Sequence, residues 1–292
     1  MKNLIFSIYT SVQDSSTRSQ TFFAKDTVSK SQRTHEQFKK YKDQLITVKK
    51  SYAGLCGANF VLVDEVDKHF SSDEFDSINF YKHYLIEKFC NEYDNILYLD
   101  FDVIPNTKES FFEHHDMSVI NVHAVNATKE NIWHKKAKHS EKSYIDIMQK
   151  HFDRYNMYCK AKCKLAMLSV DDIMNNDYHV ANTGIIGGSS NALSQIKMTE
   201  RMSECKHTLD CAVQENMFGD ELTQYFFANN ECFYSYIFDK YKIEWHNLSP
   251  DWHAMIFDQL NYTVKHQLHN AKLIHMINKR FDYIWGNNES TI

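Results

Sequence analysis

Two carboxylates stand two residues apart at the end of an apolar run: Tyr93-Asp94-Asn95-Ile96-Leu97-Tyr98-Leu99-Asp100-Phe101-Asp102-Val103-Ile104. The run reads as a buried strand that delivers Asp100 and Asp102 to its end. In an extended chain, side chains at i and i+2 share one face, so the two carboxylates are expected to converge. Ionising both side by side is costly, and a divalent cation relieves that repulsion. Oxygen ligands suit Mg²⁺ or Mn²⁺, commonly completed by the phosphates of a substrate. Taken by itself, the motif also fits a strand that ends in two solvated aspartates.

The elements that must position this pair alternate between strand and helix periods over the first hundred residues. Lys2 to Tyr9 and Asn59 to Val63 read as strands, as does Asn95 to Leu99. Between them, Phe38, Tyr41, Leu45, Val48, Tyr52 and Leu55 recur at three and four residues and predict a helix over Thr34 to Leu55; a second helix is predicted over Ile78 to Phe89. Such βα alternation points to an α/β fold with a mostly parallel sheet, in which ligands bind beyond the carboxyl ends of the strands. The second half is less regular. Helices are expected at Glu141 to Leu165, Ala192 to Lys206 and Glu221 to Asn229, strands at Val180 to Gly187 and Lys272 to Met276, and a surface insertion at His123 to Tyr144. One domain is expected over residues 1–292, with the regular βα half at 1–105 and the less regular half at 106–292.

Composition narrows the class. Seven glycines and two prolines among 292 residues fall far below ordinary usage of about 12% and exclude collagen-like and Pro/Gly-rich disordered chains. A formal net charge of −5 gives no electrostatic footprint for nucleic acid. Seven cysteines without framework spacing suit a reducing compartment, and no apolar stretch approaches the ~20 residues that cross a bilayer. The apolar start is too short for a signal peptide, so the expectation is a soluble, cytoplasmic protein.

The segment Leu97 to Ile104, LYLDFDVI, resembles the DxD strand of GT-A-fold glycosyltransferases that use nucleotide-sugar donors. The resemblance is to the group that includes the glycogenin-like and lipopolysaccharide galactosyltransferases, and it extends over about residues 3 to 285. Further pieces follow in that family's order: Lys82 upstream, His179-Val180-Ala181-Asn182-Thr183-Gly184-Ile185-Ile186, Asp220-Glu221, and His275-Met276-Ile277-Asn278-Lys279-Arg280-Phe281. Two departures stand out, since the family's usual Gly between His and Lys is absent and Glu221 replaces the commoner Gln.

The resemblance implies a GT-A, Rossmann-like fold with a helical acceptor-side half. It also implies transfer of a hexosyl group from a nucleoside-diphosphate sugar, favouring UDP-hexose, to an acceptor hydroxyl with retention. Asp100, Asp102 and His275 would bind Mn²⁺ or Mg²⁺. Tyr9, Thr10, Lys82, Asp100 and Lys279 would contact the donor, with Lys279 on the departing diphosphate. Asn182, Asp220 and Glu221 would face the donor sugar. Apart from the resemblance, Trp252 and His253, beside Pro250 and Asp251, fit either an aromatic acceptor platform or, the commoner case, a packed Trp. Without the resemblance, His275 on a short apolar strand reads as one core histidine among 16 in the chain.

Two other readings compete. A haloacid-dehalogenase-like phosphatase would use Asp100 as nucleophile and Asp102 as acid/base, with Asp171-Asp172 as a later metal pair. That family ordinarily has Gly after its DxD, where this chain has Val103, and places the motif near the start of the chain. The second is a non-catalytic protein that binds a sugar nucleotide or glycan on the same scaffold.

Overall fold

The computed structural model describes residues 1–9, 27–67, 70, 78–126, 179–201, 234, 237–238, 240–256, 268–277 and 279–286. Within them, β1 (Asn3–Ile8), α1 (Thr27–Leu55), β2 (Ala58–Val63), α2 (Ile78–Phe89) and β3 (Asn95–Leu99) follow the predicted alternation. Then come β4 (Val103–Pro105), α3 (Phe111–His114), β5 (Ile120–Asn126), β6 (His179–Ser189) and α4 (Ser190–Ser194). The last described elements are β7 (Trp245–Asn247), β8 (Ala254–Ile256), β9 (Leu273–Met276) and α5 (Asp282–Trp285).

Two sheets organise these elements. The six-stranded sheet runs β2-β1-β3-β6-β5-β7, and a three-stranded sheet runs β4-β9-β8. In the large sheet β1 pairs parallel with β2 and β3, and β5 parallel with β7, while β6 runs antiparallel to both β3 and β5. The expected α/β architecture with a predominantly parallel sheet is therefore present. Its central strands are apolar on both faces, as a sheet covered on both sides requires: every residue of β3 is buried, and Leu4, Ile5 and Phe6 of β1 are wholly so. One core layer gathers Phe6, Tyr98, Ile186 and α2; the other gathers Ile5, Leu97, Leu99, Phe111 and Trp252. A third cluster, with Tyr41, Leu45, Phe101, Ile274 and Phe281, lies between α1 and the small sheet.

Four expectations need correction. Asp100 and Asp102 do not converge through the pleat of a strand, because β3 ends at Leu99. Val103 N–H donates to Asp100 O at 2.9 Å, so residues 100–103 form a tight turn that carries the chain from the large sheet into β4 of the small one. The surface insertion does not begin at His123, which is buried within β5, inside the large sheet. The helix expected over Ala192 to Lys206 is broken: α4 ends at Ser194, Lys197 takes a positive φ of 45°, and a new helical stretch begins at residue 198. In α1 the inward row is Tyr41, Leu45, Lys49 and Ala53, whereas Leu55 is exposed. The helices expected at Glu141 to Leu165 and Glu221 to Asn229 lie outside the described residues. No helix among the described residues is long and apolar enough to cross a membrane.

Candidate metal centre

The turn that links the two sheets places Asp100 at the end of β3 and Asp102 at the start of β4. β9 pairs antiparallel with β4 in a register that sets His275 opposite Val103, and Met276 N–H donates to Asp102 O at 3.0 Å. Strand pairing thus carries an imidazole from the far end of the chain to the two carboxylates. His275 Nε2 lies 3.4 Å from Asp102 Oδ1 and 3.8 Å from Asp100 Oδ2. One ligand atom from each of Asp100, Asp102 and His275 falls within 4.8 Å of the others, the only such metal-compatible group among the described residues.

Glycine makes this approach possible. A Cβ on Gly184 of β6 would stand 2.2 Å from His275 Cε1 and 2.6 Å from Nδ1, so only glycine admits the ring there. The backbone of Gly184 serves the same corner, since its carbonyl accepts from Asp100 N–H at 2.7 Å. The register between β5 and β6 jumps at Val122/His123, whose partners are Ile186 and Asn182, leaving Thr183, Gly184 and Ile185 as a bulge. Bulges re-aim backbone groups beside functional sites. Here Thr183 O turns to Lys82, and Asn182 Oδ1 accepts from Gly184 N–H at 3.0 Å.

Each carboxylate has its own lysine. Lys82, on α2, donates to Asp100 Oδ1 at 3.1 Å and to Thr183 O at 3.1 Å, with its ammonium 4.9 Å above the Tyr98 ring. Tyr98 Oη also donates to Asp100 Oδ1, and burial pushes its phenol up, so the donor proton stays in place. Lys279 Nζ stands 2.7 Å from Asp102 Oδ2 and donates to Ile277 O at 2.9 Å. The contact with Asp102 is ionic and not aligned as a hydrogen bond, leaving Oδ2 a buried carboxylate oxygen without a hydrogen-bond donor. Lys279 itself holds φ at 54°, a left-handed conformation that non-glycine residues adopt at a cost. Burial alone would raise the Asp102 carboxyl, but Lys279 and His275 beside it prevail and hold it well below the carboxylate range.

A third lysine was not anticipated. Lys49 of α1 is wholly buried, donates to Phe101 O at 2.8 Å and lies 5.1 Å from the Phe101 ring. It clamps the residue between the two aspartates from beneath. Burial lowers its pKa to about 7 against the opposing pull of Asp102 and Asp100. The four-residue row Tyr41, Leu45, Lys49, Ala53 was the available signal, because a lysine in an inward helical row must find a partner.

Tyr9 closes β1 beside the same turn, its ring 4.5 Å from Phe101 and 6.0 Å from Phe38, with Lys42 Nζ 4.4 Å above it. Trp252 and His253 are buried, as the packed alternative to an acceptor platform requires. Trp252 fills the core beside Phe111 and His115, and His253 Nε2 lies 2.9 Å from His275 Nδ1. Burial, then the neighbouring charges of His275 and His123, push His253 well below the usual histidine range. Thr10, Asp171, Asp172, Asp220 and Glu221 lie outside the described residues.

The donor set fits a divalent cation: two carboxylates and an imidazole suit Mn²⁺ or Mg²⁺, and Asp102 is buried with its carboxyl held in the ionised form. No family model and no curated protein matches the chain. Among solved structures, it is similar to a glycosyltransferase involved in glycosylation of the major capsid of PBCV-1, at 14% identity, 94% coverage of each chain and a TM-score of 0.41. It is also similar to the bifunctional glycosyltransferase WbbM, at 9% identity, 94% of this chain, 45% of that chain and a TM-score of 0.36. Mouse xyloside xylosyltransferase 1 follows, at 14% identity, 75% of each chain and a TM-score of 0.31. These likenesses are distant, and the functional reading rests on the geometry.

Proposed function

We propose that the protein is a divalent-metal-dependent glycosyltransferase that moves a hexosyl group from a nucleoside-diphosphate sugar, with UDP-hexose the favoured donor, to an acceptor hydroxyl with retention. The observation that carries this reading is the meeting of Asp100, Asp102 and His275 at the carboxyl end of β3, where a sheet of this kind receives its ligand. The order of the LYLDFDVI, Asn-Thr-Gly and His-x3-Lys segments supports it from the sequence.

Asp100, Asp102 and His275 would hold Mn²⁺ or Mg²⁺, which when bound neutralises charge on the donor's diphosphate. The chain's own groups do the rest. Lys279, part-exposed, is placed to leave Asp102 and meet the departing diphosphate as a point charge. Lys82 orients Asp100, acting on the donor through that carboxylate. Tyr9 offers a half-buried ring for the base, with Thr10 next to it in the chain. Asn182, Asp220 and Glu221 are proposed to face the sugar, where a carboxylate would steady an oxocarbenium-like state. Asp100 is a poor candidate for a phosphatase nucleophile, since Lys82 and Tyr98 both donate to its Oδ1.

A thermal-shift screen of UDP-, GDP-, CDP- and ADP-sugars with and without Mn²⁺ tests the class, because binding to the native state raises its melting temperature by mass action. A metal-dependent shift with a UDP-hexose is the expected result. No shift with any sugar nucleotide would reject the reading.

A further inference from the structure

Ligation by an imidazole Nε2 requires that its proton reside on Nδ1, facing whatever group that nitrogen contacts. His275 points Nε2 at Asp100 and Asp102, so the partner of Nδ1 decides whether the ring can serve as a ligand. That partner is His253. It ends the turn that precedes β8, and β8 pairs parallel with β9 in a register that sets Ala254 opposite Ile274 and Met255 opposite His275. The two imidazoles lie 5.1 Å apart at an interplanar angle of 26°, with His253 Nε2 at 2.9 Å from His275 Nδ1. His253 is 1% exposed, its backbone N–H donates to Ser249 O at 3.1 Å, and its own Nδ1 has no hydrogen-bond partner among the described residues. The 2.9 Å contact with His275 is the one hydrogen bond of this ring among the described residues, and with Nε2 as acceptor the ring carries its own proton on the unpartnered Nδ1.

We propose that His253 is a positioning residue for the metal centre: its Nε2 accepts the Nδ1 proton of His275 and leaves His275 Nε2 as the lone-pair nitrogen that faces the two carboxylates. The inference rests on the reading of Asp100, Asp102 and His275 as a metal site. Partners of this outer kind fix the tautomer and orientation of a ligating histidine, and their loss weakens metal affinity about 10–100-fold.

The experiment titrates Mn²⁺ alone against the full chain, reading free Mn²⁺ by electron paramagnetic resonance, for wild type, His253→Phe and His253→Gln. Phe keeps a ring and removes the acceptor, whereas Gln keeps an acceptor and removes the ring. The expected result is binding weakened about 10–100-fold in His253→Phe and largely kept in His253→Gln. Unchanged binding in His253→Phe, or weakening only in His253→Gln, would make His253 a packing residue and overturn the proposal. Should either variant melt early, long-range ¹H–¹⁵N correlation on wild type with Mg²⁺ decides: the Nδ1–H tautomer of His275 supports the proposal and the Nε2–H tautomer overturns it. Failure of wild type to bind Mn²⁺ at all removes the metal centre itself, and this inference with it.

Discussion

On the large sheet, the Asp100 side chain is 28% exposed and its lysine, Lys82, only 3%; on the small sheet, Asp102 is 4% exposed and its lysine, Lys279, 26%. The two ion pairs are thus inverted. A buried ammonium with every proton committed is a fixed part of the scaffold, and Lys82 has Asp100 and both oxygens of Thr183 around it. A half-exposed ammonium pressed against a buried carboxylate has somewhere to go. The difference assigns the enclosed charge to the N-terminal half and the part-exposed one to the C-terminal half, although sequence reasoning gave both lysines the same task of touching the donor.

The sharpest way to break this contrast is to neutralise the carboxylates in turn. Asp102→Asn is expected to lower Mn²⁺-dependent turnover of a UDP-hexose about 10³-fold, as loss of a preorganised electrostatic group does, and Asp100→Asn less. Steady-state rates with excess Mn²⁺ check the order, and equal losses would erase the distinction. Next in size, Lys82→Met should cost about 3 kcal/mol in denaturant unfolding, because it strands a carboxylate and a buried carbonyl. Lys279→Met leaves the buried Asp102 carboxylate with His275 alone, so it should cost a comparable amount in unfolding while slowing turnover about 10²-fold. Gly184→Ala tests the wall between the halves. The added methyl must displace the His275 ring, an overpacking cost of about 1–3 kcal/mol, and Mn²⁺ affinity should fall with it.

A pH-dependent effect concerns Lys49. Its folded pKa of about 7 lies below its ordinary 10.5, so between those values the unfolded chain binds more protons and stability rises with pH. Below pH 7 the buried ammonium is fully charged and its destabilising effect complete. The wild type should therefore gain stability from pH 7 to 10 relative to Lys49→Met, with a slope of at most about 1.4 kcal/mol per pH unit. Urea midpoints across that range measure it.

The sequence was most informative where one segment is both local and buried. α2 and β3 have the bounds that periodicity assigned, because an amphipathic stripe and a five-residue apolar run are complete signals in themselves. The turn at residues 100–103 was not legible, since Asp-Phe-Asp-Val lacks the Gly or Pro that usually announces one. β5 was hidden for a related reason: Asn121 and His123 break its apolar alternation, yet both are buried and find backbone acceptors, Asn121 in Asp116 O and His123 in Leu248 O. His275 and Lys279 entered only through family resemblance, because no local pattern reports a partner some 170 residues away. Lys49 was legible in principle and passed over in favour of Val48, one position round the helix.

Among the described residues, β9 lies between β4 and β8 and is the only strand that pairs with either. A ribosome-bound chain that has emerged as far as Ile256 already carries Asp100, Asp102 and His253, but β4 and β8 still lack the strand that joins them, and His275 has yet to reach the carboxylates. The Asp100, Asp102 and His275 cluster therefore forms only once β9 has emerged, after all the described strands of the large sheet. Cation capture would mark a chain that has reached β9, and fragments ending before Leu273 should be inert toward Mn²⁺ even where their first hundred residues have folded.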